Sequence, residues 1–562
     1  MRHEGNRGLF RLPPLCHSGV GPVAPMRTTR LASSSLFLGL FSLFACSGQA
    51  SPHRQSSTGG GTGGSVANAT GAGGQVLSGA GGAAGAGGAA GVGGAGTAGT
   101  SAVCPVEQKV GSLTLSTDCQ IVARPIDPAL TCGSKDCAIT KALDLTCVYV
   151  PAAPSISATA DGAVVLVRTS YSRSGTAGDA LARLMTVEAA DSRVEDVPAL
   201  AGSLTALPAY SILCSELPTN SSGTKWLFSG ETPGITAIRG TDAGWTRATV
   251  VSLPDPNYGD GPILTDARIV DDRLGYLTYN MRGDWAPHLV TWDGSCWTDQ
   301  RIGEPQVVTM VVDTDAETQP WVAWISAEYS SNVRSLYLRS PSGDAQNLLA
   351  NLTADVPGAP LRLLPGGLDG TAAFPAVAAN FTDGIRVFSN NPTTGSGWQS
   401  LVLPESATSY AGAGDCPSVP PSYDHGNHCA GMTTCTEQSS GVGSGFGLAR
   451  TQSGAAFAAW VTYSSQGTYA LKETAEGYEM PQWYCSWTET SGTGTADLVV
   501  ARLTEPEPIL THFRFVMGGA VRYLTNDVAM VARGDTLVVA AYLSGDTVPT
   551  LTYLEIDSNL LP

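Results

Sequence analysis

The sequence has few charged side chains, no long run of lysine and arginine, and no sustained helical periodicity. Charged residues make up 14% of the 562 residues, and the formal net charge is −17 at pH 7. An acidic surface repels phosphate backbones, which argues against nucleic acid as a partner. No glycine-rich phosphate loop follows a strand and opens a helix, so we expect no nucleotide cofactor, and no other cofactor is indicated.

Long apolar runs are also missing after the first 50 residues, where no segment approaches the roughly 18 residues that a membrane-spanning helix needs. The N-terminal stretch MRTTRLASSSLFLGLFSLFACSGQ, which begins at Met26, is different. It has two arginines, a short apolar run from Leu36 to Ala45, and then a cysteine. This order is typical of a secretion signal, and the run is too short to span a bilayer comfortably.

The motif LFAC at 43–46 resembles the lipobox of bacterial lipoproteins. In that family the signal is cleaved before the cysteine, which is acylated, so the resemblance implies lipid attachment at Cys46. Phe44 departs from the smaller residue usual there. Residues 1–46 are expected to be leader and signal, and the extra residues 1–25 are most simply explained by a start assigned too far upstream, with Met26 as the real one. In Gram-negative families Ser47 after the cysteine implies sorting to the outer membrane. The expected location is therefore the outer membrane, facing the periplasm or the exterior, and the alternative is secretion.

Residues 47–103 form a low-complexity linker dominated by glycine, alanine, serine and threonine. Between Ser56 and Thr100 the sequence contains no charged residue and almost no large side chain. Such a composition cannot bury enough apolar surface to fold, so we expect a flexible tether. For about 50 residues of this kind the typical reach is about 40 Å.

From about residue 150 onward one pattern recurs: two short β-type runs joined by a turn, the second ending near an aromatic residue. Examples are DARIVDDRLGYLTY at 266–279 and VTMVVDTDAETQPWVAWI at 308–325. A third run follows in most units, and several add a tryptophan and a fourth run. Four strands per unit at spacings of about 40 to 80 residues predict an all-β fold, a six- or seven-bladed β-propeller over 151–562. The alternative is a series of tandem β-sandwich domains, which need longer units of about 100 residues.

The predicted architecture is similar to the irregular propellers of sialidase-like secreted bacterial proteins, and the resemblance concerns shape alone. TDAGWT at 241–246 has the aspartate and glycine of a sialidase-type Asp box but places Trp245 too early. Because one fold hosts many functions, this resemblance implies no activity.

Thirteen cysteines indicate an oxidising compartment and disulfide bonds. Cys16 would leave with the leader and Cys46 would carry the lipid, so eleven cysteines remain, and the odd number leaves at least one unpaired or bonded to another molecule. Five of them fall within residues 104–150, which we expect to form a small cystine-braced segment before the first blade. Within it we predict that Cys132 is bonded to Cys137.

The stretch DCPSVPPSYDHGNHCAGMTTC at 415–435 is the one place where chemically versatile side chains crowd together, with two histidines, three cysteines and two aspartates. His425 and His428, with a nearby cysteine, are ligand types that suit zinc, although their spacing matches no recognised finger. The favoured interpretation is a long loop closed by disulfides, which leaves the histidines on the surface. The predicted pairs are Cys416–Cys429 and Cys435–Cys485.

A candidate ligand site is the loop RGDWAPH at 282–288. Trp285 could stack on a sugar ring with Arg282 and Asp284 beside it, or it could pack against the next blade. Acidic pairs at 271/272 and 313/315 fall at predicted hairpin turns, where aspartate serves the backbone rather than glycoside chemistry. Arginines that a sialidase-like centre would need are scattered along the chain: Arg168, Arg268, Arg362, Arg450 and Arg502.

These observations predict a cell-envelope lipoprotein, attached to the membrane through its lipid, that displays a non-catalytic propeller. Its partner would be a polysaccharide or another envelope protein. The first alternative is a secreted hydrolase or lyase that acts on glycans, and the second is a structural subunit of a surface assembly. No catalytic residue is assigned.

Overall fold

The computed structural model describes most of the chain from residue 101 to residue 562. The segments outside the description are 1–100, 148–149, 161, 171–180, 190, 198–223, 232–233, 242–243, 253–261, 282–284, 304–305, 328–332, 353–357, 371, 391–396, 408–410, 415–433, 477–481, 505–506, 518–527 and 544–549. In the described part, no helix has the length and apolar character needed to cross a membrane.

The described residues form seven antiparallel sheets, which are the seven blades of a β-propeller. The sequence prediction of an all-β propeller is therefore confirmed, with the larger of the two expected blade numbers. Tandem β-sandwiches are excluded, because each sheet packs on two neighbours around a ring instead of pairing with a single partner sheet.

The N-terminal part of the described chain supplies strands to the edges of four blades. Its elements are β1 (Ser101–Val103), β2 (Gln108–Gly111), β3 (Thr114–Leu115), β4 (Cys119–Ala123), the short helix α1 (Pro128–Thr131) and β5 (Ile139–Cys147).

Blades 1 to 3 follow in chain order. Their strands are β6 (Val150–Ala158), β7 (Gly162–Ser170), β8 (Leu181–Glu188) and β9 (Ser192–Asp196) in blade 1; β10 (Lys225–Glu231), β11 (Gly234–Thr241) and β12 (Gly244–Ser252) in blade 2; and β13 (Pro262–Asp271), β14 (Leu274–Met281), β15 (Pro287–Trp292) and β16 (Trp297–Arg301) in blade 3.

Blades 4 to 7 complete the ring. Their strands are β17 (Val307–Thr314), β18 (Pro320–Ala327), β19 (Arg334–Arg339) and β20 (Ala345–Leu352) in blade 4; β21 (Gly358–Leu364), β22 (Ala376–Phe381), β23 (Gly384–Asn390) and β24 (Trp398–Val402) in blade 5; β25 (Ala411–Gly414), β26 (Thr434–Arg450), β27 (Ala456–Glu476), β28 (Gln482–Arg502) and β29 (Ile509–Met517) in blade 6; and β30 (Val528–Arg533), β31 (Thr536–Tyr542) and β32 (Leu551–Asp557) in blade 7, before a 3-10 turn at Ser558–Leu560.

The core is divided among the seven interfaces between neighbouring blades, and each interface contains one apolar cluster. The second strands are buried on both faces, as in β22, where all six residues are buried. This double burial explains why the second runs are nearly continuous apolar sequences instead of alternating ones. The aromatic residues that mark these runs, such as Tyr279, Trp324 and Trp460, lie in the clusters between blades, as the repeat pattern predicted.

The N-terminal strands form a belt, defined here as residues 101–123, along the outer edges of the ring. β1 pairs with β16 of blade 3, β2 with β12 of blade 2, β3 with β9 of blade 1, and β4 with β5 in blade 7. This corrects the expectation of a separate Cys-rich segment over 104–150, since these residues are part of the propeller. The correction has a simple physical reason: edge strands of two to five residues carry no periodic pattern that would reveal which sheet receives them.

β5 closes the ring by pairing with β32, so that blade 7 combines both ends of the described chain. Leu145 lies opposite Leu551, and both side chains are fully buried in the cluster between blades 7 and 1. Arg124, just after the belt, donates to the Asp144 carboxylate at 3.0 Å and to the Thr552 hydroxyl at 3.0 Å. The closure therefore combines a backbone ladder, apolar burial and a partly buried ion pair.

Two disulfides fasten the belt. Cys104, directly after β1, is bonded to Cys296 in the turn between β15 and β16 of blade 3. Cys119, at the start of β4, is bonded to Cys147 at the end of β5. The first bond joins residues 192 apart in sequence, and the second closes a loop with a separation of 28.

An arginine without solvent exposure adds a polar fastening to the same belt. Arg183 on β8 lies 3.3 Å from the Asp118 carboxylate and 2.9 Å from that of Asp196, and its Nε also donates to the Ser116 hydroxyl. Burial of an arginine is tolerated because several acceptors satisfy its fork of N–H groups.

We predict that Leu145→Ala lowers the free energy of unfolding by about 2–5 kcal/mol, because it leaves a cavity in the closing interface. Val122→Ala on the exposed edge of β4 is the matched control and should change it by less than about 0.5 kcal/mol. Urea denaturation followed by tryptophan fluorescence measures both. Equal, small effects of the two substitutions would contradict the role of β5 as the closing strand.

Candidate functional site

The structure places part of the predicted 282–288 site at one end of blade 3. Trp285 and His288 are described, whereas Arg282 and Asp284 lie outside the described residues. The indole of Trp285 is half-buried, and it belongs to neither of the apolar clusters described on the two sides of blade 3. The sequence left two alternatives, that Trp285 packs on the next blade or that it faces a ligand. Because its indole is outside both described apolar clusters, the second alternative is favoured.

The backbone of Trp285 adopts the left-handed conformation, with φ of 55°. Its N–H donates to the carbonyl oxygen of Met281 at 2.7 Å, and its own carbonyl accepts from the N–H of Val307 at 3.0 Å. For a bulky side chain this conformation costs about 1–2 kcal/mol. The hydrogen bonds hold Trp285 in place, and strain of this kind is typical of functional positions.

Asn280 contributes a buried hydrogen bond beside Trp285. Its side chain is fully buried, and its Nδ2 donates to the carbonyl oxygen of Val307 at 3.0 Å. Val307, the first residue of the inner strand of blade 4, therefore has its carbonyl bound by Asn280 and its N–H bound by Trp285. This arrangement places Trp285 at the junction of blades 3 and 4, at the end of the ring where β17 begins.

Tyr279 and His288 lie on the opposite face of the same sheet, because neighbouring residues of a strand point to opposite sides. Tyr279 pairs with His288 across β14 and β15, and their rings stack with centroids 4.6 Å apart. The Tyr279 hydroxyl donates to Asp299 Oδ2 at 2.7 Å, and His288 Nδ1 lies 3.0 Å from Asp299 Oδ1. We call these three residues the Tyr–His–Asp array.

The array fixes the tautomer of His288. An ionised carboxylate only accepts hydrogen bonds, so Nδ1 must carry the proton that Asp299 receives. In the neutral ring Nε2 then has a free lone pair, and no contact to it is found among the described residues. The His288 and Asp299 side chains are 17% and 18% exposed, so the array reaches the surface at its histidine and aspartate. It can accept a hydrogen bond from a ligand, or accept and return a proton.

The Trp285 corner is defined here as Trp285, Asn280 and the Tyr–His–Asp array. Sequence reasoning identified only Trp285 of these five residues. His288 was within the quoted loop motif, and its position three residues after the tryptophan was the available signal. Asp299 could not be found from spacing, because it reaches His288 only through the register of β15 with β16.

The scattered arginines make separate local contacts where their side chains are described. Arg268 on β13 pairs with Asp313 on β17 at 3.3 Å, bridging blades 3 and 4. Burial raises the pKa of the Asp313 carboxyl above its ordinary value, and the nearby Arg268 guanidinium offsets part of that rise. Arg362 donates to the Leu361 carbonyl. Arg450 donates to four backbone carbonyls, those of Pro365, Gly367, Leu368 and Gly454.

The acidic pairs behave largely as predicted. Asp271 Oδ1 accepts from the N–H of Arg273 at 2.7 Å, and Asp315 Oδ1 accepts from the N–H of Gln319 at 2.7 Å, both at hairpin turns. Asp313 also accepts from the neighbouring Thr314 N–H, and in addition it forms the ion pair with Arg268.

The structure describes only some of the cysteines in the predicted disulfides. Cys132 is bonded to Cys137, the pair proposed from the sequence. Cys435 is disulfide-bonded, and its pairing with Cys485 stays a prediction, since only the backbone of Cys485 is described. Four other predicted site residues lie outside the described residues: Cys416, Cys429, His425 and His428. Cys46 lies outside them as well, and among the residues that are described no group of three or more metal-binding side chains could hold a metal ion.

No protein-family model and no curated protein sequence matches the chain. Among solved structures, the fold is similar to the Dos1 propeller, with 9% identity, 72% of this chain and 95% of that chain covered, and a TM-score of 0.33. It is also similar to xylan β-1,4-xylosidase from Bacillus halodurans C-125, with 10% identity, coverage of 81% and 96%, and a TM-score of 0.24. A third is fructan 1-exohydrolase IIa from Cichorium intybus, with 9% identity, coverage of 73% and 92%, and a TM-score of 0.29. At these values we draw no functional conclusion from the similarities.

We predict that Trp285→Gly is at least as stable as Trp285→Ala, by up to about 1 kcal/mol, because glycine adopts positive φ without steric cost. At Trp398, in the ordinary strand β24, the order should be reversed, with alanine more stable than glycine by about 0.5–1 kcal/mol. Urea denaturation of the four variants provides the comparison. A less stable glycine variant at both positions would contradict the strained conformation.

Proposed function

We propose that this protein is an envelope lipoprotein whose propeller binds a neutral glycan at the Trp285 corner without transforming it. The observation that carries the proposal is the half-exposed indole of Trp285, held in a left-handed conformation by bonds to Met281 and Val307. A propeller that holds a tryptophan in a strained backbone conformation, outside the apolar clusters, is well suited to stacking that indole against a sugar ring.

The Tyr–His–Asp array, on the other face of blade 3, suits a ligand that donates hydrogen bonds. The free lone pair of His288 Nε2 and the partly exposed Asp299 carboxylate are both acceptors, and sugar hydroxyl groups are donors. The formal net charge of −17 disfavours anionic polymers such as phosphate-rich or uronate-rich chains. A neutral polysaccharide or the glycan of a cell-wall polymer fits these constraints best.

Display at the envelope rests on the N-terminal sequence. The LFAC motif supports lipid attachment at Cys46, and the glycine-rich composition of residues 47–103 suits a tether. The described chain begins with β1 on the outer edge of blade 3, where Ser101 lies opposite Asp299. This first described strand is therefore on the blade that carries Trp285.

A non-catalytic role is supported by how the charged groups are used. Glycoside hydrolysis needs two facing carboxyl groups. Among the acidic residues of β13, β17 and their hairpin turns, Asp271 and Asp315 serve turns, Asp272 and Asp313 pair with Arg239 and Arg268, and buried Asp266 accepts from the Val312 N–H. Of the arginines singled out from the sequence, Arg362 and Arg450 donate to backbone carbonyls, and Arg268 pairs with Asp313.

A second candidate, a hydrolase or lyase that acts on glycans, is favoured by one observation, the Tyr–His–Asp array. A histidine oriented by a carboxylate, with a phenol beside it, is a common arrangement for general acid and base catalysis. Under this candidate His288 Nε2 would remove or return a proton on a bound sugar.

Replacement of the proposed lipidated residue tests the anchoring. We predict that Cys46→Ser moves the protein from the membrane fraction to the soluble fraction, because the acyl chains supply the membrane affinity. Fractionation and immunoblotting of cells expressing the wild type and the variant provide the measurement. Cys16→Ser, in the leader, is the matched control and should leave the protein in the membrane fraction. Retention of the Cys46→Ser variant in the membrane would contradict the anchor assignment.

Glycan binding is tested with the full chain carrying Cys46→Ser, which makes it soluble. The probes are neutral polysaccharides in affinity electrophoresis and purified peptidoglycan in a sedimentation assay. We expect retention by at least one probe, and we expect Trp285→Ala to weaken it at least about tenfold, which corresponds to about 1.4 kcal/mol. Trp398→Ala, on blade 5, is the control that should retain binding.

Two outcomes would overturn the proposal. Binding that is unchanged in Trp285→Ala would remove the corner from the site, and no retention by any glycan would remove the ligand class. Reducing ends or unsaturated sugars that accumulate with the wild type, and not with His288→Ala, would favour the enzyme candidate instead.

A further inference from the structure

The two belt disulfides divide the N-terminal segment in a way that ring stability alone does not require. We infer that together they form a tension bypass, which keeps pulling force on the N-terminal tether away from β5, the strand that closes the ring. The inference rests on the proposed anchoring, since a membrane-bound tether is what generates the force. The path that force would take through the protein depends only on the described residues from 101 to 147 and their partners.

Without covalent bonds the belt would be easy to detach. β1, β2 and β3 contain three, four and two residues, and each lies at the outer edge of its sheet. Val106 and Leu115 are 82% and 69% exposed, and Val110 and Leu113 are only partly buried against the cluster between blades 1 and 2, so a small apolar area holds this part of the belt. Force applied before Ser101 would break these short ladders one after another.

The Cys104–Cys296 bond prevents this by giving the force a shorter path. Cys104 is the residue directly after β1, so force entering at Ser101 crosses the disulfide into blade 3. The receiving turn is braced, because Asp293 Oδ1 accepts hydrogen bonds from the N–H groups of Ser295 and Cys296, both at 2.8 Å. With this bond intact the rest of the belt carries no force.

The Cys119–Cys147 bond protects the closing strand when the first bond is absent. It joins the start of β4 to the end of β5, so β4, α1 and β5 lie within one covalent loop. Force that reaches Cys119 then crosses directly to Cys147 and continues toward blade 1. A covalent loop is not lengthened by force applied across its closing bond, so the pairing of β5 with β32 is outside the force path.

Force from the N-terminus therefore meets the two bonds one after the other, and the loss of each bond has a different consequence. Loss of the first should release the belt as far as Cys119 and leave the ring closed. Loss of the second alone should change nothing under force, because the first bond already diverts the force into blade 3. Loss of both should allow force to reach β5 and open the ring at β32. The partly buried ion pairs of Arg183 with Asp118 and Asp196 would resist the release just before Cys119.

A magnetic-tweezers experiment on the full chain tests this order. An azide-bearing amino acid replaces Ser65 in the tether and Ser342 in the exposed turn after β19, and both positions are coupled to DNA handles. The variants are Cys104→Ser/Cys296→Ser, Cys119→Ser/Cys147→Ser and the combination of all four substitutions. The handles are identical in each case, so differences in extension report the path of the force.

The wild type and the Cys119→Ser/Cys147→Ser variant should show no low-force step. Cys104→Ser/Cys296→Ser should show one, of up to about 60 Å, because 18 residues from 101 to 118 are released at about 3.4 Å each. The fourfold variant should add up to about 100 Å for residues 119 to 147, followed by unfolding of the ring.

A variant that does not fold can be replaced by the folded wild type, reduced in the instrument with dithiothreitol, which converts each disulfide to two thiols and is itself oxidised to a cyclic disulfide. The reduced protein should then show the steps of the fourfold variant. Absence of the step in Cys104→Ser/Cys296→Ser, or a step there that already includes β5, would overturn the inference. Neither result depends on whether Cys46 carries a lipid, so failure of the anchor and failure of the bypass are distinguishable.

Discussion

The antiparallel pairing of β5 with β32 is the contact on which the whole ring depends. Asp144 and Thr552, which are hydrogen-bonded across it, lie 408 residues apart in sequence. Each blade buries its two faces only against its neighbours, so a ring that opens at this point exposes apolar surface on both sides of the gap. No contact within a single blade can replace the apolar burial lost in this way, because all seven apolar clusters lie between blades rather than within them.

This dependence explains why so much polar and covalent structure is found near the N-terminal strands. Arg124 and Arg183 are both drawn into contacts with carboxylates, and two disulfides connect the belt to β5 and to blade 3. Under the proposed anchoring, a ring closed by a strand from the N-terminal end would otherwise be weakest where external force arrives. At the junction of blades 3 and 4, local hydrogen bonds to Met281 and Val307 hold Trp285 in its unfavourable backbone conformation.

The parts of the fold that depend on neighbouring residues could be predicted from the sequence, and the parts that depend on distant pairing could not. Hairpins such as β13–β14 and β17–β18 follow from short β-type runs with aspartate at the turn, and the Cys132–Cys137 bond has a sequence separation of five. The belt was missed because its strands are too short to carry a pattern. The Cys104–Cys296 bond was missed because only the sheet topology brings these residues together.

The candidate site divides along the same line. Trp285 was identifiable as an aromatic residue in a loop, since loops carry ligand contacts on a rigid scaffold. The Tyr–His–Asp array was not, because it forms across three strands and depends on their register. The left-handed conformation of Trp285 has no sequence signal at all, since tryptophan is an unusual residue for it.

Hydrogen exchange of the backbone amides of β5 tests the central claim, that this strand closes the ring. The account predicts that the amides which β5 contributes to its pairing with β32 exchange as slowly as those of β31, the buried neighbour of β32 in the same blade. Fast exchange throughout β5, with β31 still protected, would show that the ring is closed without it and would contradict the account.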